Sequence, residues 1–134
     1  MTSINILVAS HGHFAEELVA SAEMIIGKVE RVEVISLLPE MSFDDFLKTA
    51  ESILKRNDGK TIALVDLFGG TPSNVLTALT KKYNLEVITG ASLCIFIDLY
   101  MKVSGEQEIN IEELVDGTIK IANEGTIHTN KKLD

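Results

Sequence analysis

Short apolar runs alternate along this chain with segments whose apolar residues recur every three or four positions. The runs are Ile4 to Ala9, Val32 to Leu38, Thr61 to Val65 and Leu85 to Thr89. Each is followed at once by glycine, proline or polar turn residues. Runs of this length, rich in β-branched residues, read as buried strands of a parallel sheet. Between the first two, Phe14, Leu18, Ala22 and Ile25 or Ile26 keep helical spacing, and Gly27 ends the helix. Ser42 caps a second helix with Phe43, Phe46, Leu47, Ala50, Ile53 and Leu54 on its inner face. Thr71-Pro72 opens a third, with the threonine hydroxyl at the cap and proline at the first helical position, expected to reach about Tyr83. Beyond Gly90 the pattern predicts a helix around Leu93 to Lys102 and another, capped by Asn110, from Ile111 to about Asn123. Gly125 then separates a short strand, Thr126 to His128, from a polar tail (from about residue 129) that is expected to be flexible.

The order βαβαβαβ, two helices and a short terminal strand predicts one α/β domain over residues 1–134. Its sheet is expected to be doubly wound and mainly parallel, in the order 2-1-3-4, with helices on both faces. Leu93 to Met101 is apolar on nearly every helical face, Asp98 being its only charge. A helix apolar all round is normally buried all round. An oligomer interface, or packing by the terminal segment, would cover it.

In such a sheet the carboxyl ends of the strands form the edge where ligands bind. The first run ends in Ser10-His11-Gly12, and the third in Asp66 followed by Leu67-Phe68-Gly69-Gly70-Thr71-Pro72-Ser73-Asn74. An imidazole and a carboxylate therefore share the working edge. A carboxylate that accepts a hydrogen bond from one ring nitrogen fixes the tautomer and frees the other nitrogen to attack. The two glycines let backbone N–H groups approach a ligand, and the helix start behind them favours an anion of phosphoryl size. Taken alone, that loop is equally a well-capped strand-to-helix turn. With His11 and Asp66 beside it, the set describes histidine phosphorylation, with Gly12, Gly70 and Thr71 around the phosphoryl group.

Composition narrows the alternatives. The net charge of −8 excludes a general nucleic-acid binder, for no basic patch could neutralise phosphates. Hydrophobic residues make up 46% of the chain and charged ones 24%, which suits an ordinary folded protein. No run is long enough to span a bilayer and no signal peptide is apparent, so a soluble, cytoplasmic protein is expected. The single cysteine, Cys94, forms no internal disulfide and reads as a small buried hydrophobe. The loop lacks the lysine and spacing of a Walker A motif, and no G-x-G-x-x-G occurs. His11, His13 and Asp66 make only a sparse metal set without a further ligand, so no metal is expected. A receiver domain would need acidic residues after the first strand, where Ser10-His11-Gly12 stands. A Ser-His-Asp hydrolase would need a G-x-S-x-G elbow.

With these residues in view, the chain resembles the enzyme IIA proteins of the mannose family of the bacterial phosphoenolpyruvate-dependent sugar phosphotransferase system. The likeness runs through S-H-G, the helix A-E-E-L-V-A-S-A-E-M-I-I-G, the loop V-D-L-F-G-G-T-P-S-N and I-T-G-A. It implies that His11 is phosphorylated through Nε2, that Asp66 is its hydrogen-bonding partner, and that Gly70 and Thr71 belong to the phosphoryl-binding loop. The implied donor is the phosphocarrier protein HPr, and the acceptor a histidine of enzyme IIB, which serves sugar uptake through membrane components. Neither metal nor nucleotide cofactor is implied. The resemblance also implies a homodimer, with exchange of the C-terminal strand in related proteins. A fused IIB domain follows in several members, so a separate IIB chain is expected here. Two other readings stand beside it: the phosphotransferase subunit of phosphoenolpyruvate-dependent dihydroxyacetone kinase, and a non-catalytic anion-binding regulatory module. Nothing in these residues names the sugar.

Overall fold

The architecture follows from four strands that cannot face water on either side. The structure, a computed structural model, describes residues 3–105 and 108–133. Its strands are β1 (Ile4–His11), β2 (Val32–Leu37), β3 (Lys60–Val65) and β4 (Leu85–Thr89). They form one sheet in the order β2-β1-β3-β4, and every pairing is parallel. The expected order and direction are thus observed. β1 is central: Leu7, Val8 and Ala9 are fully buried, and Ala9 lies beside Val65 of β3.

Side-chain alternation splits the core in two. Ile4, Ile6 and Val8 pack beneath α1 (Phe14–Ile26), α4 (Leu93–Val103) and α5 (Ile111–Glu124). Leu7 and Ala9 pack on the other side beneath α2 (Phe43–Arg56) and α3 (Thr71–Leu79). Each fully buried leucine or isoleucine contributes about 1.5–3 kcal/mol relative to exposure. α2 starts from a capping box, in which Ser42 Oγ accepts from the Asp45 N–H and the Asp45 carboxylate from the Ser42 N–H.

Three expectations shift. α3 stops at Leu79 rather than near Tyr83, because Thr80, Lys81 and Lys82 donate to carbonyls three residues back and tighten the last turn. Thr126 to His128 forms no strand; a strand needs a neighbouring edge, and β4 bonds only to β3. The polar tail carries one 3-10 turn, Thr129–Lys132, while Asp134 lies outside the described residues. Cys94 is exposed, since it sits on the outer side of the first turn of α4 against Gly125. α4 as a whole is covered on one side only: Ile95, Phe96 and Leu99 are buried, whereas Met101 is exposed.

Candidate active site

The connection from β1 to α1 runs over one face of the sheet, and that from β3 to α3 over the other. Their loops consequently part at the carboxyl ends of β1 and β3, the switch point of a doubly wound sheet. His11 is the last residue of β1, and Asp66 follows β3 immediately. The structure brings them into contact. One oxygen of Asp66, Oδ2, accepts both the His11 backbone N–H at 2.9 Å and the ring Nδ1 at 2.8 Å. The other, Oδ1, accepts the Leu67 N–H at 3.0 Å. A carboxylate in its ionised form can only accept, and against it the neutral ring would carry its proton on Nδ1 and leave the Nε2 lone pair free. The carboxylate is 13% exposed and the imidazole 46%, so the ring is open to solvent while its partner is sheltered.

Gly70 walls the free side of the ring. A Cβ at this position would lie 2.5 Å from His11 Cε1 and 3.0 Å from Nε2, so only glycine fits against the ring as it stands. Gly70, rather than the expected Thr71, is the cap of α3, because the helix begins one residue earlier at Thr71, and the cap carries no side-chain hydrogen bond. No side chain therefore takes up the N–H groups of the first turn, which starts beside the His11 ring. Thr71 opens that turn and shares with His11 and Gly12 a cavity of about 390 Å³. Leu37, Leu38, Pro39, Met41 and Phe43 make its apolar wall.

The sequence-predicted residues His11, Gly12, Asp66, Gly70 and Thr71 thus stand together. Gly12 adopts φ +58°, a left-handed turn, and its N–H donates to Leu37 O at 2.8 Å. His13 turns away from the group: its Nδ1 lies 2.8 Å from Glu16 Oε2, one helical turn on. Among the described residues no three His, Cys, Asp or Glu gather as a metal set.

Sequence reasoning missed two ties. Ser10 Oγ, fully buried, accepts the Ala15 N–H at 2.7 Å and closes the loop that carries His11. Asn74 donates from Nδ2 to Gly69 O at 3.1 Å. Ser10 precedes the histidine and Asn74 ends the glycine loop, yet only contacts five residues away reveal their roles. Exposed apolar side chains also ring the edge, among them Phe14, Leu67 and Phe68, the last 83% exposed. A larger cavity, about 980 Å³, opens at the opposite edge among Arg31, Lys60 and Tyr100, away from the His11–Asp66 pair.

Comparison with known proteins agrees with this arrangement. Residues 5–119 match the family model EIIA-man, described as the PTS system fructose IIA component. The mannose-specific EIIAB component of Escherichia coli K12 is 28% identical over 126 residues, which cover 92% of this chain and 38% of that protein. The sorbose-specific EIIA component of Lacticaseibacillus casei is 25% identical, with 97% of this chain and 94% of the relative covered. A crystal structure of a phosphotransferase system EIIA from Streptococcus agalactiae superposes with a TM-score of 0.88 at 27% identity, covering 96% and 98% of the two chains. With its motif-bearing loops gathered at one switch point and its match extending over most of its length, this chain belongs to the mannose-type EIIA family of the sugar phosphotransferase system.

Proposed function

We propose that this protein is a phosphocarrier that takes a phosphoryl group from phospho-HPr on His11 Nε2 and passes it to a histidine of an enzyme IIB. The observation that carries the reading is the double hold of Asp66 Oδ2 on the His11 backbone and ring. In the forward step the Nε2 lone pair attacks phosphorus, the P–N bond to the donor histidine breaks, and a P–Nε2 bond forms. The ring becomes cationic because Nδ1 keeps its proton, and the Asp66 carboxylate stabilises that charge. The same charge makes the phosphorylated ring a good leaving group, so onward transfer to IIB uses the reverse displacement. Gly12, Gly70 and Thr71 surround the phosphoryl oxygens, where the N–H of Gly70 and the hydroxyl of Thr71 offset their negative charge, the Gly12 N–H being taken by Leu37 O.

The exposed apolar rim of Phe14, Leu67 and Phe68 suits docking of protein partners rather than a free sugar. No described helix is long and apolar enough to cross a membrane; the cytoplasmic location belongs to the phosphocarrier reading. Met101, Ile119 and Ile127 are exposed apolar positions on α4, α5 and the segment after them, and support assembly as a homodimer.

The test is intact mass after incubation with phosphoenolpyruvate, enzyme I and HPr. Wild type gains one acid-labile phosphoryl group and His11→Ala gains none. Uptake by His11→Ala would overturn the assignment. Phosphorylated HPr beside unmodified wild type would favour a regulatory anion-binding module. Onward transfer to nucleotide on a kinase subunit, rather than to IIB, would mark the dihydroxyacetone kinase role.

A further inference from the structure

Asn74 ends the glycine loop, and the phosphocarrier reading gives it no task. It lies in the first turn of α3 and its side chain is exposed, so it has no part in the core. Its backbone N–H donates to Gly70 O at 2.9 Å, the ordinary first bond of the helix. Its side-chain Nδ2 donates instead to Gly69 O at 3.1 Å, outside the helix. Gly69 has φ +91°. A left-handed glycine flanked by a second glycine can rotate the peptide between them at little steric cost. The Asn74 bond removes that freedom.

The consequence lies on the other side of the same peptide. A trans peptide is planar, so its C=O and N–H point in opposite directions. With Gly69 O held toward Asn74, the Gly70 N–H points away from it. At the φ of −82° that Gly70 adopts, its N–H projects on the same side of Cα as a Cβ would. That side is occupied by His11, with Cε1 and Nε2 facing the Cβ position. Among the described residues the Gly70 N–H has no acceptor. A backbone donor without an acceptor, fixed beside a nucleophile, is arranged for charge that appears during reaction.

We propose that Asn74 is a positioning residue: its bond to Gly69 O locks the Gly69–Gly70 peptide so that the Gly70 N–H meets a phosphoryl oxygen on His11 Nε2. The inference rests on the phosphocarrier reading. Asn74 touches neither the imidazole nor the phosphoryl group; it acts through the peptide.

The experiment follows the Gly70 amide in ¹⁵N-labelled protein before and after phosphorylation by phospho-HPr, in wild type, Asn74→Ala and Asn74→Asp. Wild type shows a downfield move of the Gly70 amide proton as it gains a charged acceptor. Asn74→Ala loses most of that move and about tenfold in kcat, with KM for phospho-HPr unchanged, below the 10²–10³-fold cost of deleting such a donor outright. Asn74→Asp, whose carboxylate repels Gly69 O, loses more. The aspartate suits a helix N-terminus, so this variant stays folded. A wild-type Gly70 shift in both variants overturns the proposal, even if both transfer slowly, because the effect would then be structural. Wild-type kcat in both variants overturns it equally. A wild type that takes no phosphoryl group overturns the phosphocarrier reading and this inference together, which separates the two failures.

Discussion

Two imidazoles stand two residues apart in this chain, each with its Nδ1 2.8 Å from a carboxylate oxygen. His13 and Glu16 form their pair within one helical turn, and both are largely exposed, at 64% and 52%. His11 and Asp66 form theirs across 55 residues, from two strands that only the finished sheet makes neighbours. The second pair has everything the first lacks. Asp66 also binds the His11 backbone and the Leu67 N–H, so the carboxylate cannot turn without breaking three bonds. Gly70 blocks one side of the ring, and the start of α3 supplies donors where negative charge would gather. A short carboxylate–imidazole contact is therefore poor evidence of a catalytic pair. What separates the two pairs is the number of independent elements that fix the ring, since each removes a way for it to leave its productive orientation.

The largest effect expected after loss of His11 itself comes from Asp66→Asn. The amide is nearly the same size, but it brings no charge to offset the cationic ring and can hold the wrong tautomer. Phosphoryl uptake from phospho-HPr should slow by about 10³-fold, within the usual range for a lost acid–base or orienting partner. HPr binding, followed by titration, should remain. If binding is lost instead, Asp66 is a docking residue and the contrast with Glu16 loses its meaning.

Gly70→Ala tests the wall rather than the charge. Its φ of −82° is ordinary for any residue, so alanine brings no backbone strain. The new methyl would nonetheless meet His11 Cε1 and Nε2, and the ring must move. A displacement near 1 Å should cost about 10²-fold in transfer, with thermal stability close to wild type. An unchanged rate would show that the ring has more freedom than the packing implies.

A third carboxylate separates bridging elements from performing chemistry. Glu51 of α2 accepts from Lys82 Nζ at 2.9 Å and Tyr83 OH at 2.7 Å, so it too joins distant parts of the chain. The hydrogen bond from Lys82, then that from Tyr83, holds its carboxyl below the ordinary glutamate range. A carboxyl pKa lowered by folding adds stability that is present above the unfolded value. That stability fades as pH falls below about 4.3 and through the folded value. Glu51→Gln should narrow the difference between melting temperatures at neutral and acid pH, and leave phosphoryl uptake untouched. A loss of transfer would mean that bridging alone had been mistaken for structure.

The fold was legible because its elements are locally consistent. Short, β-branched apolar runs such as Ile6 to Ala9, closed at once by turn residues, suit buried parallel strands, and Ser42 and Thr71-Pro72 mark helix starts without tertiary help. That His11, Asp66, Gly70 and Thr71 would meet was legible because strand ends in such a sheet share one edge. Cys94 misled because a helix of apolar composition still has an outer side, and nothing local says which residues occupy it. Thr126 to His128 misled because strand formation depends on a neighbouring edge, not on the segment. Ser10 and Asn74 stayed hidden for a related reason. Each acts through one hydrogen bond to a backbone group five residues away, and their residue types are equally common in plain turns.

The smallest effect belongs to the pair that looks most like the active one. His13→Ala and Glu16→Gln each remove one side of a contact that lies in solvent, where neighbouring water replaces it at little cost. The start of α1 does not depend on it, for Ser10 Oγ holds the Ala15 N–H and the His13 side chain makes no capping bond. Either substitution should change stability by less than about 0.5 kcal/mol, as measured by chemical denaturation. Phosphoryl uptake should match wild type, because His11 keeps Asp66, Gly70 and the start of α3. A clear fall in uptake for His13→Ala with wild-type Glu16→Gln behaviour would give the second imidazole a task of its own. A fall in both would make the His13–Glu16 contact part of the transfer apparatus. In either event exposure to solvent would no longer separate the two pairs, and the number of elements fixing the ring would have to be replaced by proximity to the nucleophile as the criterion.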